Sequence, residues 1–477
     1  MLLLKSSTKG VERFSHSIPS SVLTTTAAVA AQDKPIASEF THKSNVRRQM
    51  PAYGNSVLCE SLEKSSDSMG SSFGSMLESS EYSRLVQSFH SSFSSPKNTA
   101  SEVVVLGAAS QLDINALVKL AKDPAGVGNR ELQQRMDQDE RFRQNVLRTI
   151  VNGGKENFLQ LCIDCNACFV IQKLVENGGE DMQRELFNLV RPLAFKMVLN
   201  RFACRIVQKV VINLTDSHVH QLLCQQFNGH ENTLVTDQNG NHFVQCVVEH
   251  FAPNVYGKFV LALANFPAGL NAVFENKYGC RVIQLVLERI VQLVNDRNTG
   301  NNEKDMAFSI LHELMEPILK NAKSLAQNEY ANYLVQFVLK SPHLRRQRCY
   351  IIKNHIIGNV YHLSLLKYSS HVVEQAFRNA DSRCFCLTML FKEVLEGYKP
   401  SNVEGKYRTA LCEMLFNQFG NYVVQEMIRI AKEVHVHRRP GDPNWLLNIW
   451  RCVSDNKEGL SRYSSGKKII SSLQRMQ

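Results

Sequence analysis

Residues 240–248 read Gly240-Asn241-His242-Phe243-Val244-Gln245-Cys246-Val247-Val248, and the fold turns on how this stretch is read. On an α-helix Asn241 and Gln245 are four residues apart and share a face, with His242 beside them. Phe243, Val244, Val247 and Val248 then turn toward a core. This spacing predicts an outward polar cluster of Asn241, His242 and Gln245, and a small residue, Gly240, that lets the helix start close to its neighbour.

The arrangement recurs eight times: a small residue, a polar or thiol residue, a planar or basic residue, two mostly apolar residues, then Gln or Glu. The other copies are Gly128-Asn129-Arg130 with Gln133, Ala167-Cys168-Phe169 with Gln172, Ala203-Cys204-Arg205 with Gln208, and Gly279-Cys280-Arg281 with Gln284. Ala331-Asn332-Tyr333 with Gln336, Ser369-Ser370-His371 with Glu374, and Gly420-Asn421-Tyr422 with Gln425 complete the set. Successive polar positions are 36 to 39 residues apart, except for intervals of 52 and 51. The long intervals contain Asn295 to Lys304 and Glu396 to Lys406, whose Asn, Gly, Pro and Ser content is that of loops.

A fixed period of this length identifies a solenoid. Amphipathic segments such as Glu185 to Met197 and His218 to Phe227 lie between the copies, so each unit holds two or three helices. A single unit cannot bury its apolar face, and stacked neighbours must share a core. The expected fold is all-α, an armadillo-like superhelix of eight three-helix repeats with terminal caps over residues 111–477. Pro440 and Pro443 interrupt the helical pattern before a last helical stretch from Trp445. Residues 1–110 are serine-rich without helical periodicity and are expected to form a disordered tail. Within it, Val22 to Ala31 resembles a targeting segment only superficially, since three threonines interrupt its apolar run.

The polar face has an unusual composition. A generic solvated face would use long charged side chains, whereas here the closing position holds seven Gln and one Glu, and the first holds only Asn, Cys or Ser. Short side chains of defined hydrogen-bonding ability suit base edges. The middle residues are Arg, Phe, Arg, His, Arg, Tyr, His and Tyr in chain order, and planar groups stack on bases for about 1 to 3 kcal/mol each. The competing expectation is an armadillo- or HEAT-like protein-binding scaffold, which predicts no RNA affinity.

Charge agrees with a polyanionic partner. The net charge is +11, and residues 1–110 hold 10 basic against 9 acidic side chains, leaving 45 against 35 for the remainder. No apolar run approaches the roughly 20 residues of a membrane span. The 13 cysteines lie mostly in apolar helical patterns, which suits reduced, buried thiols in an intracellular compartment. Cys162, Cys165 and Cys168 form a C-x-x-C-x-x-C run with no fourth ligand at a matching distance, so no metal is assigned. No phosphate-binding glycine loop or nucleophile elbow is present, and an enzyme is not expected.

The triplets, their order and their number resemble the Pumilio-type (PUF) RNA-binding domain over residues 112–477. That resemblance implies a crescent whose concave face binds single-stranded RNA, one base per repeat, with the C-terminal repeat at the 5′ end. It implies uracil readers at Asn421/Gln425, Asn332/Gln336 and Asn241/Gln245, a guanine reader at Ser370/Glu374, and adenine-type readers at Cys280/Gln284 and Cys204/Gln208. Tyr422, Tyr333, His242, His371, Arg281 and Arg205 are the matching stacking residues, and the target begins 5′-UGUAUA. Cys168/Phe169/Gln172 and Asn129/Arg130/Gln133 depart from the commonest family pattern and leave the 3′ end open, including a base flipped away unread. The resemblance also implies a cytoplasmic protein, monomeric on RNA and without cofactor, that binds messenger-RNA 3′ untranslated regions. Such proteins repress translation or promote decay by recruiting deadenylase machinery. The insertion at Glu396 to Lys406 falls where similar proteins engage regulatory partners, with Tyr398 as anchor, a plain flexible loop being the alternative. Its insertion pattern looks most like that of nematode germline members.

Overall fold

The computed structural model describes residues 113–265, 269–381, 384–400 and 407–474, without the side chains of residues 398–400, 407 and 408. The expected tail, residues 1–110, with its Val22 to Ala31 segment, lies outside them.

Eight inner helices begin at or next to the triplets. They are α1 (Val127–Gln138), α2 (Cys168–Asn177), α3 (Ala203–Asn213), α4 (Gly240–His250), α5 (Lys277–Asn295), α6 (Asn332–Lys340), α7 (Ser369–Asn379) and α8 (Gly420–His435). Each follows a short helix and precedes an outer helix, giving the three-helix unit. In the fourth repeat these are Glu231–Thr236 and Pro253–Ala262, the latter opening on a proline whose missing N–H is no loss in a first turn.

The small residue before each triplet has a steric cause. A Cβ on Gly240 would stand 2.8 Å from the Leu234 carbonyl oxygen, and one on Gly279 2.5 Å from that of Val273. Only a residue with little or no side chain lets the inner helix turn back so tightly over the short helix before it.

Each inner helix packs directly on the next, so α1 to α8 form one continuous row. Outer helices follow suit, Ser217–Cys224 packing on Pro253–Ala262 and that helix on Asn301–Lys320. One apolar cluster runs from Leu117 to Leu473 through every repeat. Phe243 and Phe227 meet within it, ring centroids 4.6 Å apart, and truncating such a buried ring typically costs about 3–5 kcal/mol. Among the described residues no helix is long and apolar enough to cross a membrane.

Two local expectations need correction. The Asn295 to Lys304 insertion is half helix: α5 runs to Asn295 and the next helix starts at Asn301, so the loop is confined to residues 296–300. The inserted residues extend two helices that pack on each other, and burial of that pair overrides the loop-like composition. Glu396 to Lys406 is not a plain loop, because Tyr398–Pro400 (β1) pairs antiparallel with Tyr407–Thr409 (β2), Tyr398 opposite Thr409. Aromatic and β-branched residues at both ends of the segment favour that pairing. The amphipathic segment Glu185 to Met197 is helical as expected, with a 3-10 turn at Arg191–Leu193, where Pro192 cannot donate to the helical ladder. The break around Pro440 and Pro443 stands as expected, between the end of α8 at His435 and a helix at Asn444–Asp455, and the last described helix is Ser464–Gln474.

Candidate nucleic-acid interface

The triplets begin on a capping device. Four residues before the first triplet position stands Asp164, Asn200, Asp237, Asn276, Asn328 or Asn417 in repeats two to six and eight. Each side-chain oxygen accepts two backbone N–H groups at the head of the inner helix, as Asp237 does from Asn239 at 2.9 Å and Gly240 at 2.7 Å. The sequence reading missed these caps, although an Asp or Asn at fixed offset from six triplets was there to be found. Repeat seven has Leu366 at that place.

The first triplet residue is not outward, as expected for Asn241; all eight are between 1 and 4% exposed. At the asparagine repeats the reason is local hydrogen bonding. Asn241 Nδ2 donates to the carbonyl oxygens of Asp237 at 2.8 Å and Gln238 at 2.9 Å, and Asn332 and Asn421 do the same to Asn328 and Glu329, and to Asn417 and Gln418. Carbonyls only accept, so the amide cannot be turned round. Its Oδ1 therefore faces the closing glutamine and accepts from Nε2 of Gln245 at 2.8 Å, Gln336 at 2.8 Å and Gln425 at 3.0 Å. The glutamine is thereby oriented in turn: its Oε1 and second Nε2 hydrogen remain for a ligand, one acceptor beside one donor.

Repeat one has the same lock. Asn129 Nδ2 donates to Ala121 O at 2.7 Å and to Asn166 O of the next repeat at 2.9 Å, and Gln133 Nε2 reaches Asn129 Oδ1 at 2.5 Å.

Cysteine repeats lack it. Burial pushes the thiols up, to about 12 at Cys168 and Cys280 and about 11 at Cys204, so they are neutral donors to carbonyls, and only in repeat two does the closing glutamine, Gln172, still hydrogen-bond its cysteine. Cys204 Sγ reaches Arg201 O at 3.6 Å and Cys280 Sγ reaches Tyr330 O at 3.1 Å. Gln284 instead donates to Glu288 at 2.8 Å. Gln208 Oε1 accepts from Arg205 at 3.0 Å while its buried Nε2 has no protein partner. An unmet buried donor costs about 1–3 kcal/mol, which an incoming acceptor would recover.

In repeat seven Ser370 Oγ donates to Lys367 O at 3.2 Å, and Glu374 Oε1 lies 3.2 Å from His371 Nδ1. An ionised carboxylate offers acceptors alone, the complement of two adjacent N–H donors. The middle residues differ in exposure: Arg130, Arg281 and Tyr422 are exposed, and Phe169, Arg205, His242, Tyr333 and His371 are half-buried.

One turn beyond the triplets, ionic contacts set neighbouring inner helices in register. Each joins the position eight after one first triplet residue to the position five after the next: Asp137 with Lys173 at 3.0 Å, Glu176 with Lys209, and Arg378 with Glu426 at 3.0 Å. The last has its charges reversed. The 24 predicted residues thus occupy equivalent places along one row, whereas Tyr398 lies on β1 and its side chain is outside the description. Cys162 and Cys168 are buried and Cys165 exposed; among the described residues, a group of three thiols converges at Cys349, Cys384 and Cys386.

Such a molecule is a helical-repeat protein that presents a linear series of hydrogen-bonding faces. The model of the Pumilio-family RNA binding repeat matches residues 157–190, 195–225, 232–254, 276–291 and 411–438. Pumilio domain-containing protein 6 of Caenorhabditis elegans is 32% identical over 374 residues, 75% of this chain and 74% of that protein. Fem-3 mRNA-binding factor 2 of the same organism is 30% identical over 382 residues, 76% of this chain. The chain spans 59% of that factor's length. The crystal structure of PUF-6 in complex with 5BE13 RNA superposes with a TM-score of 0.64 at 32% identity, covering 76% of this chain and 97% of the other. The chain belongs to the Pumilio (PUF) family of RNA-binding repeat proteins, and its likeness is to nematode members. The family model leaves the repeats around Asn129, Asn332 and Ser370 unmatched, yet their inner helices stand in the same row.

Proposed function

We propose that the chain binds single-stranded messenger RNA at 5′-UGUA-containing elements of 3′ untranslated regions and thereby represses translation or promotes decay. The observation that carries this reading is the distribution of amide locks: asparagine locks a glutamine in repeats eight, six, four and one, the glutamines of the cysteine repeats five and three are turned away from the cysteine, and repeat seven alone offers a carboxylate. A locked amide, one acceptor beside one donor, suits uracil's mixed edge, and Glu374 suits guanine's paired donors. Read from repeat eight, the order is 5′-UGUAUA, then a base left unassigned at repeat two, then uracil at repeat one.

The names of two similar proteins support an RNA target: one relative is an mRNA-binding factor, and PUF-6 was solved with RNA. The chain acts as a monomer on RNA in the cytoplasm, without catalysis of its own, by recruiting deadenylase machinery. Tyr398 on the β1–β2 hairpin anchors a regulatory protein partner. The protein-scaffold alternative loses ground to the family match.

Selection from randomised RNA tests the base assignments. The full chain should enrich 5′-UGUAUA followed two bases later by uracil, and the Tyr398→Ala chain should enrich the same motif while recovering less partner in pull-downs. Enrichment of an unrelated motif would refute the base order, and undiminished partner recovery would refute the anchor.

A further inference from the structure

Cys349, Cys384 and Cys386 bring their three sulfurs within 4.8 Å of one another, although 35 residues separate the first two. Cys349 lies on the outer helix of repeat six, Arg345–Ile351. Cys384 and Cys386 stand at the head of the outer helix of repeat seven, Cys386–Glu396. Cys384 Sγ is 3.0 Å from the sulfur of each of the others. Between them Phe385 adopts a left-handed φ of 56°, unusual for a bulky residue, and leaves its ring 71% exposed. The bend turns both neighbouring thiols inward, a local strain that the apolar side chain itself does not explain.

Positive charge borders the group. The helix that starts at Cys386 directs its positive end at the group, and Lys353 lies near Cys386. Asp381, whose carbonyl oxygen is 3.2 Å from Cys384 Sγ, has its carboxylate engaged by Arg345.

We propose that these three cysteines bind one zinc(II) ion through their thiolates, with solvent at the fourth position. Three mutually close sulfurs fit a tetrahedral thiolate site, in which zinc–sulfur bonds of about 2.3 Å set the sulfurs about 3.8 Å apart, inside the 4.8 Å that spans this group and wider than the 3.0 Å from Cys384 to each of its neighbours. A disulfide would use two of the three and leave the third unexplained. Thiolate ligands select zinc over hard cations such as magnesium. Three thiolates and the ion carry one net negative charge, which Lys353 and Arg345 border. The ion would clamp repeat six to repeat seven behind the triplets Asn332–Gln336 and Ser370–Glu374. The metal assignment withheld from the Cys162–Cys168 run belongs instead to residues that only the fold brings together.

The full chain, reduced with a phosphine, stripped by a chelator and reloaded with zinc(II), should retain one equivalent after gel filtration. Bound zinc should shield Cys349, Cys384 and Cys386 from alkylation, as read by peptide mass mapping. Cys384→Ser and Cys349→Ser should each lose that equivalent, and Cys224→Ser, in repeat three, should keep it. Cobalt(II) in place of zinc should give a thiolate charge-transfer band in the wild-type chain and in Cys224→Ser, and none in Cys384→Ser or Cys349→Ser. Absence of retained zinc, equal retention by Cys384→Ser, or a Cys349–Cys384 disulfide in the freshly isolated chain would overturn the proposal. Alkylation shielding is read on the unaltered chain, so it decides the matter even if a serine variant fails to fold.

Discussion

At the four asparagine repeats one side chain does two things: it closes the start of the inner helix and fixes the direction of the neighbouring glutamine. Removing Asn332 should show both effects, because Asn332→Ala frees two carbonyls and releases Gln336. The variant should lose about 1–3 kcal/mol of stability in denaturant titration. It should also lose discrimination at the third base while keeping affinity from Tyr333 stacking. Retained uracil preference would show that the glutamine does not depend on the lock. Residue identities at this scale were legible in the sequence, since recurrence singles out every triplet. Their direction was not: Asn241 reads as outward on a helical wheel, and only the carbonyls of Asp237 and Gln238 draw it in.

Among elements, the contact of α7 with α8 carries a buried carboxylate held by two arginines. Glu426 is 6% exposed and accepts from Arg378 at 3.1 and 3.0 Å and from Arg429 at 2.6 Å. Burial would raise its pKa, but the bonds from Arg429 and Arg378 outweigh burial and hold the carboxyl below its usual value. A carboxyl lowered in the folded state contributes stability above its unfolded pKa and loses it as pH falls through the folded value. Glu426→Ala should therefore cost roughly 3 kcal/mol in urea melts at pH 7, with the deficit shrinking below about pH 4. A deficit independent of pH would assign the loss to packing alone. The helices themselves were largely legible from their apolar spacing. The Asn295 to Lys304 extension was not, because a polar composition gives no sign of a helix pair that buries its other face.

For the molecule as a whole, the period of the triplets already implied a solenoid, and the packing of each inner helix on the next turns that period into a row. What recurrence could not reveal is contact between residues far apart in the chain, such as the Cys349, Cys384 and Cys386 cluster or the reversed ion pair between repeats seven and eight. The central claim is that each face in the row meets one base independently of its neighbours. Binding of the Ser370→Asn, Glu374→Gln chain to 5′-UUUAUA and 5′-UGUAUA RNA tests it most directly, since that pair of changes installs in repeat seven the amide set of repeats six and eight. The account predicts a reversal, with the UUU sequence bound more tightly by about ten-fold, equivalent to about 1.4 kcal/mol. Undiminished preference for guanine at the second base would contradict it.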